Sequence, residues 1–524
     1  MKFDVFLNDI FFLPFRVRHL IGVSLILALF GLSAIAAEDI AQTGAEETLQ
    51  LIKQAEKLSK KGNIIEAEKL LRRAIELNPR LSAAKLKLAY LLVKQRRLTE
   101  AYDLSFDAAK ADPKNSYAFA VLGVTLLNAG NFKDARTSIY NSIALNKKEA
   151  LAWAGLGMLD FYENRINKSL ESLYESVYFA PNEPDFLFAF AQVAARAEKY
   201  KESAEAYRRF LNISQDFDKE RRDRIKGLIS FLSFLGGKQS LYVVDGQENT
   251  SVDFKLVGNR PIIELKINSK EEPLRFVLDT GSGTSVISNE TAERLKIKSV
   301  ARGGLARGIG GNGKFQIVYG FLRSVEIGNA RIKNVPVYIR KFHTANEGID
   351  GYIGLSLISK FLTTIDYGNL TFSLVRKDSI KNVKIGGDEL SLPLRLTSSG
   401  FLSGEVQLEG VEVPLNFIVD TGASISVISN ALAGSQELSQ FTKGEKMRVI
   451  GAAGITEDVP SFLLPRVTFG SHSRERITAV ALDLDLINET SGFMQAGILG
   501  GNFLRNYSLT FDFQNSKVIF VPIK

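Results

Sequence analysis

The chain has 524 residues, room for roughly three or four compact units at ~150 residues each, and its 45% hydrophobic and 24% charged residues, 42 Gly and 13 Pro exclude collagen-like, disordered and multi-spanning membrane classes. The formal net charge of +8, from 66 Lys and Arg against 58 Asp and Glu, is a weak bias over such a length and no nucleic-acid footprint. There is no cysteine, which removes disulfides, thiol nucleophiles and Cys-rich metal sites; His19, His343 and His472 stand too far apart in sequence to suggest a Ser-His-Asp hydrolase or a His-based metal site.

Residues 1–37 read as an export signal. A basic patch at Arg16, Arg18 and His19 precedes the apolar run Leu20 to Leu32, and the small residues Ser33 to Ala37 offer a cleavage site after Ala36 or Ala37. The alternative is an uncleaved anchor over residues 20–37, which approaches the ~20 residues of a bilayer span. Either way the expectation is an exported chain, periplasmic or secreted, with membrane contact only if this segment is retained.

Residues 48–217 carry a repeat of period 34. Small residues recur at Ala55, Ala89, Gly123, Gly157 and Ala191, and again at Ala67, Ala101, Ala135, Ser169 and Ser203. Pro79, Pro113, Lys147 and Pro181 form a third column, and turn residues fall at Gly62-Asn63, Gly130-Asn131 and Asn164-Arg165. Antiparallel helices approach closely only where a small side chain faces the neighbour, and proline marks where a helix stops. These five rows resemble the tetratricopeptide repeat, with Trp153 at the family's large-residue position. That resemblance implies an all-α solenoid whose groove takes a protein or peptide.

Residues 218–250 read as a linker: Asp218 to Lys226 is a mixed charge run that reads as a solvated helix, and Gly236-Gly237 ends the helical pattern. From Ser251 onward short Val-, Ile- and Phe-rich runs alternate with Gly and Asn turns, an all-β texture.

That region is duplicated, as 251–378 and 388–524. Residues 276–289 read FVLDTGSGTSVISN and residues 417–430 read FIVDTGASISVISN, identical at nine of fourteen positions and separated by 141. Glycine-rich turns follow each aspartate at the same spacing, with Gly310, Gly311 and Gly313 in the first copy and Gly451 and Gly454 in the second. Ile353-Gly354 and Leu499-Gly500 then answer one another at offset 146. The run Gly308 to Gly313 also fits the dinucleotide fingerprint, but no βαβ context surrounds it, so it reads as a hairpin tip. Asp366 and Asp512 lack a following Thr-Gly and read as turn or edge residues, and no loop of closely spaced acids would complete a metal's oxygen shell.

The duplicate resembles the retropepsin-like aspartic peptidases in a single-chain, two-lobed form. The resemblance implies an all-β two-lobed barrel domain in which Asp279 and Asp420 match the catalytic aspartates, Thr280 and Thr421 the hydroxyls that lock the two loops together, and Gly281 and Gly422 the glycines that let those loops approach. Ile353, Gly354, Leu499 and Gly500 match the apolar-Gly pairs behind the loops, and the glycine turns match flap tips. Ser282 is placed to hydrogen-bond its carboxylate where the second copy has Ala423. The chemistry agrees: two carboxylates sharing one proton activate a water and protonate a leaving amine. The expected function is an exported aspartic endopeptidase with a polypeptide in the interlobe cleft, a repeat domain recruiting a substrate or regulator, and neither metal nor cofactor. A noncatalytic peptide-binding scaffold on the same fold is the second reading.

Overall fold

The computed structural model describes residues 45–214, 218–238, 240–343, 347–382 and 390–523. The segment read as a signal or anchor lies outside them. Among the described residues no helix is long and apolar enough to cross a membrane.

The N-terminal part is a solenoid of five helix pairs: 45–61 with Ile64–Leu77, Ser82–Lys94 with Leu98–Ala111, Ser116–Ala129 with Phe132–Leu145, Ala150–Tyr162 with Ile166–Phe179, and Pro184–Arg196 with Tyr200–Ile213. The small columns sit where the helices of a pair touch. A Cβ added to Gly123 would lie 2.7 Å from Ile139 Cγ1, and one on Gly157 would lie 2.6 Å from Leu173 Cγ. In the last two pairs the second column bonds the first directly, Ser169 Oγ donating to Gly157 O at 2.6 Å and Ser203 Oγ to Ala191 O at 2.7 Å.

The turn inside each pair contains one residue of positive φ, at Gly62, Arg96, Gly130, Asn164 and Glu198, again 34 apart. In the last four pairs this turn touches the β region. Arg96 donates to Asn488 O, Asn416 Nδ2 donates to Gly130 O at 3.4 Å, Asn164 Nδ2 donates to Phe513 O at 2.9 Å, and Glu198 pairs with Lys360. Phe493 enters the helical core between Phe132 and Tyr162, 5.0 Å from each ring. One edge of the solenoid therefore rests along both β lobes.

The stretch read as a linker is structured. Helix Lys219–Gly236 is charged at its start but buries Ile225, Phe231, Leu232 and Leu235 further on, and strands Val243–Gly246 and Asn249–Asp253 join the sheets of the β region. The charge run of its first turns conceals an apolar stripe that begins only at Ile225.

Each lobe is built on its own mixed sheet, and a third sheet of six strands joins them. At the centre of the joining sheet, strands Phe361–Asp366 and Tyr507–Asp512 pair antiparallel with Thr364 opposite Thr510, whose hydroxyls are 2.9 Å apart. These two residues carry the same offset of 146 that relates the apolar-Gly elements, so the local two-fold axis between the lobes passes through them. Asp366 and Asp512 close equivalent turns, the first accepting from the amides of Gly368 and Asn369 and the second from those of Gln514 and Asn515.

Candidate active site

Each aspartate ends a buried strand, Leu274–Leu278 or Leu415–Val419, and is carried into the loop that follows. Strand Gly351–Ile353 lies parallel to the first and Gly497–Leu499 to the second, so Ile353 O accepts from Asp279 N and Leu499 O from Asp420 N, both at 3.0 Å. Behind the loops Ser285 Oγ receives Gly354 N and Ser426 Oγ receives Gly500 N, each at 3.1 Å. A Cβ on Gly354 would lie 2.7 Å from Ser282 O, and one on Gly500 would lie 2.5 Å from Ile425 O, so only glycine fits behind either loop.

The two loops interlock through Thr280 and Thr421, both fully buried. Thr280 Oγ1 donates to Val419 O at 2.6 Å and accepts from Thr421 N at 3.1 Å; Thr421 Oγ1 donates to Leu278 O at 2.7 Å and accepts from Thr280 N at 3.2 Å. Each hydroxyl satisfies two backbone groups that closure of the lobes would otherwise bury unpaired. Gly281 and Gly422 face the opposite carboxyl: a Cβ on Gly281 would lie 2.4 Å from Asp420 Cγ, and one on Gly422 would lie 2.8 Å from Asp279 Cγ.

The carboxyls of Asp279 and Asp420 lie side by side between the two loops, a Cβ on Gly422 meeting Asp279 Oδ1 at 2.8 Å and Asp420 Oδ1 at 3.1 Å. Asp279 Oδ1 accepts from Gly281 N at 2.9 Å and Oδ2 from Ser282 Oγ at 2.7 Å, while Asp420 Oδ1 accepts from Gly422 N at 2.7 Å. Burial raises the pKa of Asp279 above the ordinary carboxylate value, against the pull of its hydrogen bonds. Burial, with the adjacent Asp279 charge, pushes Asp420 well above it. Like charges this close cannot both ionise, so the pair titrates as a unit. The extra donor Ser282 makes Asp279 the better home for the charge and Asp420 for the proton.

Above the dyad stand two antiparallel hairpins, Ser299–Arg307 with Lys314–Ile327 and Thr442–Gly451 with Gly454–Phe469. Their glycine turns meet tip to tip. Ala453 N donates to Ile309 O at 2.8 Å, a Cβ on Gly310 would lie 2.2 Å from Gly454 O, one on Gly311 2.7 Å from Ala453 O, and one on Gly451 2.3 Å from Ile309 O. Gly313 closes the first turn, its amide donating to Gly310 O at 3.0 Å. No helix follows the Gly308 to Gly313 run, which leaves it outside any dinucleotide-binding geometry.

A single cavity of about 2090 Å³ contains Asp279, Asp420, the tip residues Ile309 and Gly451, the solenoid residues Phe161, Phe188 and Arg196, and Arg221 of the helix that follows. The first helices of the last two pairs, with the helix that follows them, thus form one wall of the space over the dyad. Sequence reasoning missed this wall and the docking role of the turn residues Arg96, Asn164 and Glu198; the available signal was the 34-residue turn column, in which the glycine of Gly62 and Gly130 gives way to Arg96, Asn164 and Glu198. Among the described residues no three His, Asp or Glu side chains converge as metal ligands would.

The family model described as Aspartyl protease matches residues 263–357 and 404–503, one span in each lobe, and the model described as Tetratricopeptide repeat matches residues 52–116. No curated protein matches the chain. Among solved structures, pilF of Pseudomonas aeruginosa is 16% identical, over 37% of this chain and 89% of its own, with a TM-score of 0.27. A thermophilic TPR protein of Thermus thermophilus is 18% identical, over 35% of this chain and 98% of its own, with a TM-score of 0.30. The chain thus carries a region matched by the Tetratricopeptide repeat model and, C-terminal to it, a region matched by the Aspartyl protease model in both of its lobes.

Proposed function

We propose that the protein is an aspartic endopeptidase that hydrolyses peptide bonds with a water activated by the Asp279 and Asp420 pair. The observation that carries this reading is the juxtaposition of two desolvated carboxyls, each against the other loop's glycine, with unequal donors that favour one shared proton. In that state the ionised carboxylate takes a proton from water while the neutral partner supplies one toward the carbonyl and, later, the leaving nitrogen. The two glycine-tipped hairpins act as flaps that open to admit an extended chain and close over the scissile amide. The solenoid wall then acts on the substrate within the cavity itself, guiding an unfolded segment toward the dyad. Residues 1–37 direct export, so that the enzyme works in a periplasmic or extracellular setting.

Digestion of unfolded casein over a wide pH range, with and without pepstatin, tests the reading. Cleavage that pepstatin blocks, and that Asp279→Asn and Asp420→Asn each abolish, supports it. Peptide binding without any hydrolysis by the wild type favours the scaffold reading instead.

A further inference from the structure

The local two-fold symmetry places unlike residues at one equivalent strand position, Arg340 lining the cleft in lobe 1 and Leu482 buried behind its wall in lobe 2. In lobe 1, strand Val286–Ser288 runs parallel to Ala330–Arg340 with Val286 beside Tyr338 and Ser288 beside Arg340. In lobe 2, strand Ser426–Ser429 runs parallel to His472–Leu482 with Val427 beside Val480 and Ser429 beside Leu482. Since Val286 and Val427 correspond within the duplicated motif, Arg340 and Leu482 correspond too. The surroundings differ in the same sense. Leu482 packs in an aliphatic cluster with Ile418, Val427, Ile487 and Ile498, all four of which also line the cavity.

Arg340 lines the cavity beside the dyad, close enough for its charge to favour ionised Asp279. Aromatic rings surround it: the guanidinium carbon is 4.7 Å from the Phe342 centroid, 5.3 Å from Phe315 and 5.6 Å from Tyr352. Its Nη1 donates to the carbonyls of Lys341, at 3.2 Å, and Ala452 in the opposing hairpin tip, at 3.3 Å. Among the described residues no carboxylate lies within ion-pair distance of it, and Nε and Nη2 have no partner. Arg260 and Arg307 of the same cavity spend their charge on carboxylates, Arg260 on Glu347 and Arg307 on Glu220 and Glu489, whereas Arg340, like Arg196 in the helical wall, does not. A desolvated guanidinium with free donors is a strong, geometrically selective receptor for a carboxylate.

We propose that Arg340 is a specificity-determining residue that seats an Asp or Glu side chain of the substrate in the lobe-1 half of the cleft, while the Leu482 half seats an aliphatic side chain. The enzyme would then select extended polypeptides with an acidic residue on one side of the scissile bond and a branched aliphatic residue on the other. This rests on the reading of the cleft as a polypeptide site.

The test uses the full chain and a set of otherwise identical unstructured peptides, each with one Glu or one Gln at successive positions around an aliphatic pair. At about pH 5.5 the wild type is expected to cleave the Glu peptide at least ~10-fold better in kcat/KM than the Gln peptide at one position, the scale of one desolvated charge pair. Arg340→Leu brings that ratio to about one, Arg340→Lys keeps part of it, and in the wild type it fades below about pH 4, where the substrate carboxyl takes up a proton. Equal cleavage of both peptides by the wild type overturns the proposal. So does Arg340→Leu lowering both rates alike, which would leave Arg340 only as a latch on Ala452. Binding of the same peptides to Asp279→Asn separates this from the catalytic reading. Glu preferred over Gln in binding, with no wild-type cleavage, refutes hydrolysis and supports the Arg340 site; no preference in binding refutes the site.

Discussion

Lobe 1 and lobe 2 share the loop interlock almost atom for atom, yet they differ in three places around it. The Thr280 and Thr421 bonds, the facing glycines and the strand pairings behind each loop are reciprocal. What differs is the hydroxyl beside the dyad, Ser282 against Ala423; the cleft wall, Arg340 against the aliphatic cluster that packs on Leu482; and the cover on the hairpins. Helix Lys219–Gly236 lies on the outer strand of the first hairpin so closely that a Cβ on Gly227 would stand 1.9 Å from Arg302 O. Around that contact Arg224 Nη1 donates to Leu305 O at 3.2 Å, Phe231 stacks on Tyr319 at 4.3 Å, and Glu220 pairs with Lys314 at 3.0 Å. The outer strand of the second hairpin, Thr442–Gly451, is exposed along almost its whole length. The reciprocal features bring the two carboxyls together; of the differences, the hydroxyl acts on the dyad itself, while the wall and the hairpin cover lie around the cavity.

The harshest test of the reciprocal part is the dyad. Asp279→Asn and Asp420→Asn keep the shape of each loop and remove one carboxyl, and each is expected to lower peptide cleavage by at least ~10³-fold, toward the upper part of what one acid-base group supplies. Both losses must be of that order. If one variant keeps near-wild-type turnover, the lobes are not partners in one reaction.

How much of this could be read in advance depends on whether a residue's partner repeats. The columns of Ala55 and Ala67 were legible because each row of the solenoid packs on a copy of itself. The dyad was legible because Asp279 and Asp420 stand in duplicated motifs whose partners are each other. Asn164 was legible as a turn residue, but the docking role of Arg96, Asn164 and Glu198 was silent, since their partners Asn488, Phe513 and Lys360 lie 392, 349 and 162 residues away and outside the helical repeat. The helix over the first hairpin was hidden for another reason: its charged start masks Leu232, which packs on the helical core, and Phe231 and Leu235, whose partner surface exists only once the hairpin has formed. Arg340 escaped notice because the equivalence with Leu482 needs one residue of offset beyond the motif's 141, which only the strand register reveals.

The hairpin tips sharpen the comparison at the next scale down. Gly310→Val and Gly451→Val each push a side chain into the backbone of the opposing tip, and Gly310 also has φ of +89°, a conformation valine does not tolerate. Both variants are expected to lower kcat/KM on a short peptide by about 10-fold or more, Gly310→Val the more severely, without unfolding the protein. Because the tips touch, the double variant should cost less than the product of the singles, which steady-state kinetics on all four proteins reads directly. If Gly451→Val leaves cleavage unchanged, the second hairpin is a loop and not a flap.

A smaller effect separates the hairpins by their cover. Backbone amides of Thr442–Gly451 are expected to exchange with deuterium about 10-fold faster than those of Ser299–Arg307, whose outer face the helix protects. Gly227→Val lifts the helix from Arg302 and brings the first hairpin toward the rate of the second. Equal exchange of both hairpins in the wild type would mean that the helix restrains nothing.

The least change comes from the hydroxyl beside the dyad. Ser282 Oγ donates to Asp279 Oδ2 at 2.7 Å, a bond that favours the charged form and works against the rise in pKa that burial imposes on Asp279. Ser282→Ala removes it and makes this loop match lobe 2, where Ala423 offers no hydroxyl. Loss of a donor to an anion destabilises the ionised state, so the lower apparent pKa of the pair moves up and the acid limb of the pH-rate profile moves up with it. A charge-assisted bond on the order of 1.4 kcal/mol corresponds to about one pH unit, and partial replacement by water reduces that. The reciprocal change, Ala423→Ser, brings a donor toward Asp420, the carboxyl that holds the proton. It therefore lowers the upper apparent pKa and pulls in the alkaline limb, narrowing the profile from the other side. Profiles of kcat/KM for both variants on one peptide distinguish the assignments: if Ser282→Ala shifts the alkaline limb and leaves the acid limb in place, Asp279 and not Asp420 carries the shared proton.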